Sequence, residues 1–580
     1  MMFHYSTLAL FAVLLALESP GSDAFQNGNN PQQVAKTAAA TTPTSIAPMP
    51  FKWPIVGTLP DFLARGGVDG MCGVHESMYE EYGPVYKMSL MGKDETIFSD
   101  PRVMDQVLRK EGIFPVGGAE IVTTFKDYYE ENNMEFARES VGRGPGWKDW
   151  RSSVNSDMYV LWSTYLPSIA NTCREISNVA GREVTETKNV HISEFLSRAA
   201  FDMFAAVIYG ESPKTTDSDV ATQEDIEFVK ATKRAFDITG NLISSPLDKV
   251  FGSDLYKEFV VNMDKTFNVA KKRGLERIES AMDTKAKYEA NERQQLQEQQ
   301  AASEEEGSDS SGCPIKAIKS KVGLGRDKFI PSDFQNPSFI ERLVNRETLS
   351  TEEIAQTQGP LLMAGVDTTA YVMGWFYLNM ASNPDVQAKL AKDLDKILKG
   401  ADVTTVEQME SLHYLKACFR ESHRLTPATP LSIKTLDKDI DVYSELNNNS
   451  YKLPSGQRIG LNLRGLPMDP KFVENPNSFV PERFSPEAVK ARKGTPSEIA
   501  LDHPYFNDAF GRGKRRCLGA NVAVAEMTVL AARLLQDWEI KMVDPNEALQ
   551  SPTKTWQSKQ KLMLIADPYP AMEFVPRKLE

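Results

Sequence analysis

The sequence predicts a mainly α fold with small β-sheets, on three observations. Residues 350–383 form a long, largely apolar helical run, and residues 520–535 form a second. Residues 165–283 read as helix, with amphipathic stretches around His191–Tyr209 and Ile226–Val250. Gly83 to Asp100 instead alternates as the hairpin of a small sheet, and Tyr451–Gly456 reads as a strand and turn. At 580 residues the chain can bury a large core. Its net charge of −13 argues against a nucleic-acid surface. The cysteines, Cys72, Cys173, Cys313, Cys418 and Cys517, are odd in number, widely spaced and without a C-x-x-C pair. Neither a disulfide framework nor a zinc site follows, and the scattered histidines form no H-E-x-x-H.

Taken in order, Leu8–Leu17 is an apolar run too short to span a bilayer comfortably but suited to a signal-peptide core, although no Lys or Arg precedes it. From Gln26 to Pro60 there is no Asp or Glu, and Ala, Thr, Ser, Pro and Asn dominate. Residues 1–25 are thus signal-peptide-like and 26–49 a transit-peptide-like or linker segment. Together they resemble the bipartite plastid-targeting leaders of algae with secondary plastids. A signal anchor at the endoplasmic reticulum membrane is the alternative. Pro48, Pro50 and Pro54 break any helix and mark the start of the folded domain. Phe114–Asn133 reads as loop-rich. Trp147 and Arg151 have i,i+4 spacing and share one helix face. Gly240–Leu255 reads as a loop. Lys285–Gly312 is low-complexity and charged, so a disordered insertion is expected over about residues 285–320.

The helix from Ser350 opens on a Ser350/Glu353 capping box. It carries a local defect, Ala364-Gly365-Val366-Asp367-Thr368-Thr369, in which the glycine alone costs about 1 kcal/mol against alanine. Asp367 on an apolar face needs a polar partner, and broken local propensity of this kind points to function. Glu421 and Arg424 lie three apart on a helix expected over residues 409–424, so they share a face. Arg483 follows in Pro-Glu-Arg-Phe, and residues 485–507 read as loop.

The segment Phe510-Gly-Arg-Gly-Lys-Arg-Arg-Cys-Leu-Gly519 is the most distinctive. Gly511, Gly513 and Gly519 allow tight turns and close approach to something flat. Arg512, Lys514, Arg515 and Arg516 surround Cys517 with positive charge, which favours a thiolate. The helix that follows adds its positive N-terminus. A lone, rigidly held thiolate suits an axial haem ligand, whereas an ordinary cysteine would be a small buried hydrophobe.

Phe510, Gly513, Arg515, Cys517 and Gly519 match F-x-x-G-x-R-x-C-x-G. With W-x-x-x-R, A/G-G-x-D/E-T-T, E-x-x-R and P-E-R-F in order before it, the chain resembles the cytochrome P450 family. The resemblance implies a cytochrome P450 fold over residues 50–580 and haem b (iron protoporphyrin IX) with Cys517 on the iron. It implies that Phe510, Gly513, Arg515, Gly519, Trp147, Arg151 and Gly365 bind the cofactor, Arg151 at a propionate. Asp367 and Thr368 would deliver protons for dioxygen cleavage. Glu421, Arg424 and Arg483 would form a scaffold behind the Cys517 loop. Thr429–Ile433 would line the cavity, and Lys434 stands where many members carry an arginine to a propionate.

The implied activity is that of a monooxygenase acting on a lipophilic molecule such as a sterol, isoprenoid or fatty acid. No flavin or dinucleotide segment is fused, so two electrons would come from a ferredoxin or an NADPH-cytochrome reductase. Lys416, Arg420, Lys514, Arg515 and Arg516 are the expected basic surface for an acidic ferredoxin. Peripheral membrane contact is also expected. Trp53–Leu59 and Gly66-Gly67 resemble the mitochondrial, sterol-type branch, although Ala520-Asn521 replaces a basic pair common there. Two other classes stand beside this one. A haem-thiolate isomerase or lyase acting on a peroxide generally lacks the acid–threonine pair, and a non-catalytic haem sensor would not need it.

Overall fold

The computed structural model describes residues 45–90, 92–116, 123–186, 191–244, 253–305, 337–544, 546, 558–560, 563–567 and 569–577. The expected leader segments as far as residue 44, Cys313 and the part of the expected insertion beyond Glu305 lie outside the described residues. The helices that position the site are α1 (Pro145–Asn155), α2 (Leu166–Ala180), α3 (Ile192–Tyr209), α4 (Gln223–Ser244), α5 (Asp254–Glu305), α6 (Thr351–Ser382), α7 (His413–Leu425) and α8 (Ala520–Asp537).

A helix apolar on every side must be buried on every side, and α6 is such a helix. The predicted capping box is present: the Ser350 side chain accepts from Glu353 N–H, and the Glu353 carboxylate accepts from Ser350 N–H. Close packing around α6 depends on missing side chains. A Cβ on Gly359 would stand 1.9 Å from Phe267 of α5, and one on Gly365 would stand 2.9 Å from Phe204 of α3. Pro360 follows inside the helix. The low-propensity stretch at residues 364–369 does not break the helix, and Thr368 Oγ1 donates back to Ala364 O at 2.7 Å.

The strands are few. β1 (Val85–Leu90) and β2 (Lys93–Phe98) form the expected hairpin. They continue into β6 (Arg458–Asn462), parallel to β2, and β3 (Leu431–Thr435), antiparallel to β6, giving the order β1-β2-β6-β3. β4 (Ile440–Ser444) and β5 (Asn449–Leu453) make a separate hairpin.

Several boundaries differ from expectation. The insertion expected to be disordered is helical as far as Glu305, as the continuation of α5. Its Ala, Glu, Lys, Gln and Arg are strong helix formers free of Gly and Pro after Gly274, and local propensity needs no apolar core. Packing instead carries α4 through Gly240 to Ser244 and makes Thr123–Glu131 helical within the stretch read as loop, since Ala235, Ile238 and Leu242 share a core cluster with Phe125, Tyr128 and Tyr129. The expected helix over 409–424 is two, Val406–Ser411 and α7, broken at Leu412. Residues 485–507 hold three short helices, each opened by a proline in its first turn, where no N–H partner is required. Among the described residues no helix is long and apolar enough to cross a membrane.

Two histidines make the fold acid-sensitive. Burial pushes His75, whose Nδ1 lies 2.9 Å from Tyr86 Oη, down to about 3. Burial takes His423 on α7 to about 4, against the opposing charge of Asp508. Unfolded imidazoles protonate near pH 6.5, so between about pH 4 and 6.5 the unfolded chain binds more protons. The contribution of these two imidazoles therefore rises with pH across that window and is lost on acidification, opposed by Asp157 and Asp202, whose carboxyls burial raises to about 6. Denaturant melts at stepped pH measure the slope, which His75→Gln with His423→Gln should shift toward less gain of stability with rising pH.

Candidate functional site

The loop before α8 turns at Gly511 (φ +69) and Gly513 (φ +82), in the left-handed region that favours glycine. A Cβ on Gly513 would also stand 2.6 Å from Leu108 and 2.8 Å from the Glu111 carboxylate. The turn is closed by Cys517 N–H donating to Phe510 O at 3.0 Å and Arg516 N–H to Gly513 O at 3.1 Å. The Cys517 sulfur in turn accepts from Gly519 N–H. The readily formed thiolate expected from the surrounding charge is corrected. Burial pushes the Cys517 thiol up, and the Gly519 N–H, Arg151 and Arg516 offset this only in part. A coordinated metal ion displaces such a proton outright. The side chain is nonetheless exposed. A sulfur both exposed and desolvated by surrounding protein opens on an enclosed space, not on the outer surface.

Three features of that space fit a flat anionic group such as haem. First, Gly519 has an ordinary φ of −83°, and a Cβ there would meet no atom within 4 Å. Neither backbone nor protein packing therefore requires glycine at 519. Second, Arg151 of α1 is half-buried, its charge is felt at Cys517, and among the described residues it has no hydrogen bond or ion pair. Burial pushes this guanidinium's pKa down, and an incoming carboxylate would reverse that cost. Third, the Arg515 guanidinium stacks 3.7 Å over the buried Trp147 ring and donates to Pro115 O and Gly142 O, both at 2.9 Å. Trp147, Arg151 and Arg515 are thereby gathered on one side of the Cys517 loop. Phe510 packs at the edge of the main core, with Arg516 over its ring.

On α6 an accessible strip breaks an otherwise buried surface: Ala364 is exposed, and Gly365 and Thr368 are partly so. Asp367 beside them is fully buried. Gly365 is needed for packing, since its bare Cα admits Phe204.

Behind the loop, Glu421, Arg424 and Arg483 come together. Arg424 makes a bidentate pair with Glu421, both bonds 2.8 Å, and Arg483 Nε donates to the same carboxylate at 3.2 Å. Val480 N–H adds a bond at 2.9 Å, while Arg424 also donates to the carbonyls of Pro467, Pro476 and Ser478. The network fastens α7 to the segment at 467–483 that leads toward the Cys517 loop.

The expected five-cation surface is corrected. Arg515 turns inward as described, and Arg516 is held by Asp508, by Gly511 O at 3.0 Å and by Tyr159 Oη at 3.2 Å. Arg420 and Lys514 are exposed and Lys416 partly so. Lys434 forms a buried pair with Glu111, which takes up the charge expected to face a propionate. Asp508, Tyr159 and Glu111 escaped the sequence reading because no local spacing relates them to their partners.

The family model for cytochrome P450 matches residues 47–569. Among curated relatives, the mitochondrial 1,25-dihydroxyvitamin D(3) 24-hydroxylase of Mus musculus is 21% identical over 515 residues, 88% of this chain and 86% of that protein. The mitochondrial sterol 26-hydroxylase of Rattus norvegicus is 20% identical over 466 residues, 79% of this chain and 77% of its own. Cytochrome P450 4V2 of Rattus norvegicus is 30% identical over a shorter stretch of 240 residues, 40% of this chain and 42% of the relative.

Proposed function

The chain belongs to the cytochrome P450 family, and on that premise we propose that it uses electrons from a separate protein to insert one oxygen atom into a lipophilic substrate. The observation that carries this reading is the enclosed opening at Cys517, bordered by the unfilled Cβ position of Gly519 and by Arg151, which is unpaired among the described residues. Haem b is the group that fits there; when bound it supplies the redox and dioxygen chemistry.

The chain's own residues then divide the remaining work. The Cys517 sulfur would hold the iron, with its position fixed by the Gly519 N–H and the Phe510 carbonyl. Arg151 and Arg515 would neutralise the propionates, and Trp147 keeps the Arg515 plane in place. Thr368 can turn its hydroxyl from Ala364 O toward the accessible strip, and Asp367 can resupply its proton. A sterol, isoprenoid or fatty-acid-like substrate is supported by the sterol and vitamin D hydroxylases among the relatives. Lys416, Arg420 and Lys514 are the accessible cations for an acidic donor, either a ferredoxin or a cytochrome reductase. The leader supports delivery to a plastid, with the endoplasmic reticulum membrane as the alternative. A fluorescent fusion of residues 1–60 decides between them, and a diffuse cytosolic pattern would end both.

Dioxygen uptake that depends on both reductant and lipid tests the reaction class. Haem-loaded protein that transforms a lipid peroxide without reductant, and never consumes dioxygen, would overturn it. Thr368→Ala is expected to keep the haem spectrum while product per electron falls by on the order of tenfold and peroxide appears instead. Tight coupling in that variant would remove threonine from proton delivery.

A further inference from the structure

One turn beyond Asp367, α6 meets α4 through polar groups that the motif residues do not include. Tyr371 Oη donates to Asp237 Oδ1 at 2.7 Å, and Lys233 Nζ donates to Tyr371 Oη at 3.3 Å and lies 4.6 Å from the ring centroid. Tyr371 is 3% exposed, whereas Asp237 and Lys233 on α4 are partly exposed. Asp367 is four residues before Tyr371 and thus on the same helix face. The charges of Asp367 and Asp237 both act on the phenol, and Tyr569 from the C-terminal segment is the other titratable group against it. A buried hydroxyl is therefore bonded to an acid with access to solvent and lies within the field of an acid with none, one helical turn away. Packing alone would be served by phenylalanine, since Phe236 already lies beside the ring, 6.2 Å between centroids.

We propose that Asp237 and Tyr371 form the outer section of a proton route that recharges Asp367 from the α4 surface. The proposal rests on the reading of Asp367 as the acid that serves Thr368. In one passage, the Asp237 carboxylate takes a proton from hydronium in the solvent, leaving water, and the Tyr371 hydroxyl turns from Asp237 toward Asp367. The hydroxyl proton then passes to the Asp367 carboxylate as the phenol oxygen receives the proton from Asp237. One proton moves, Asp237 returns to carboxylate, the phenol ends neutral and nothing is oxidised. Burial and the two acids push the phenol far above its ordinary range, so tyrosinate is not an intermediate. Lys233 beside the phenol oxygen attracts the hydroxyl's lone pairs and steers its proton toward an acid.

The test uses full-length, haem-loaded protein carrying Tyr371→Phe, Asp237→Asn or both, with Asp367→Asn as reference. Melting temperatures of the single and double variants should be non-additive, a readout independent of turnover that reports the Tyr371–Asp237 bond. Product per electron should fall by on the order of tenfold in each variant, less than the full value of a general acid because water can replace part of the route. The solvent isotope effect on turnover should rise. Turnover driven by added hydrogen peroxide, which brings its own protons, should be unchanged. Asp237→Asn, at a partly exposed position, carries the test if Tyr371→Phe folds poorly. If Asp367→Asn uncouples the enzyme while Tyr371→Phe and Asp237→Asn stay tightly coupled with an unchanged isotope effect, the route is wrong. If Asp367→Asn itself stays coupled, the underlying reading of Asp367 fails instead.

Discussion

Cys517→Ser is expected to abolish the thiolate-type Soret band of the reduced, carbon-monoxide-treated protein and all monooxygenase turnover. The hydroxyl replacing the thiol is a far weaker acid and a harder ligand, so it cannot supply the same electron density to an iron. The change should cost the fold little. The side chain opens on an enclosed space, and the turn is held by backbone bonds and by Gly511 and Gly513, all of which survive the substitution. The measurement is therefore a pair: spectrum of the haem-loaded protein, and melting temperature of the same sample. A serine variant that folds, binds haem and retains the wild-type band would remove Cys517 from the iron. The remaining cysteines of the described residues, Cys72, Cys173 and Cys418, are buried with their thiols pushed up, and none is a ready substitute.

Glu421→Ala is expected to have the largest effect on the fold itself. It leaves the Arg424 guanidinium, 2% exposed, facing three carbonyls and the Met468 sulfur with no counter-charge from Glu421, and strips Arg483 and Val480 N–H of their shared acceptor. Breaking one partner out of a buried pair costs about 3–5 kcal/mol, a large fraction of the stability of most domains. Soluble yield and haem content should both collapse, and a denaturant melt of any soluble fraction should report a loss of that size. Glu421→Gln keeps the carbonyl acceptor for Val480 and should retain more structure than alanine. Arg424→Lys should not rescue, because a point charge cannot reproduce the bidentate pair and the carbonyl bonds together. A Glu421→Ala protein with normal haem content and an unshifted melt would show that the network is dispensable.

Where local chemistry dictates conformation, the reading of the chain and the structure agree. The Ser350 capping box, the 83–100 hairpin and the helix after Gly519 follow from caps, alternation and periodicity within a few residues. Where two local rules compete, the reading went astray: the polar run after Lys285 has too few apolar residues for a core yet ample helix propensity, and helix prevails to Glu305. The charge around Cys517 is a related case. Four neighbouring cations predicted an acidic thiol, but a side chain's burial depends on what packs around it, and burial outweighs the nearby charge.

The sequence by itself determined the helical class, the haem-thiolate family and the identity of the motif residues, because each rests on residue types at short, fixed spacings. Only the tertiary structure decided which charges meet. It turned Arg515 and Arg516 inward, gave Lys434 to Glu111, left Arg151 without a partner among the described residues, and bonded Tyr371 to Asp237 within the field of Asp367. The reason is that an ion pair or hydrogen bond is fixed by distance in space and by the desolvation of both groups. Neither quantity can be read from the order of residues when the partners lie on elements separated by a hundred positions or more.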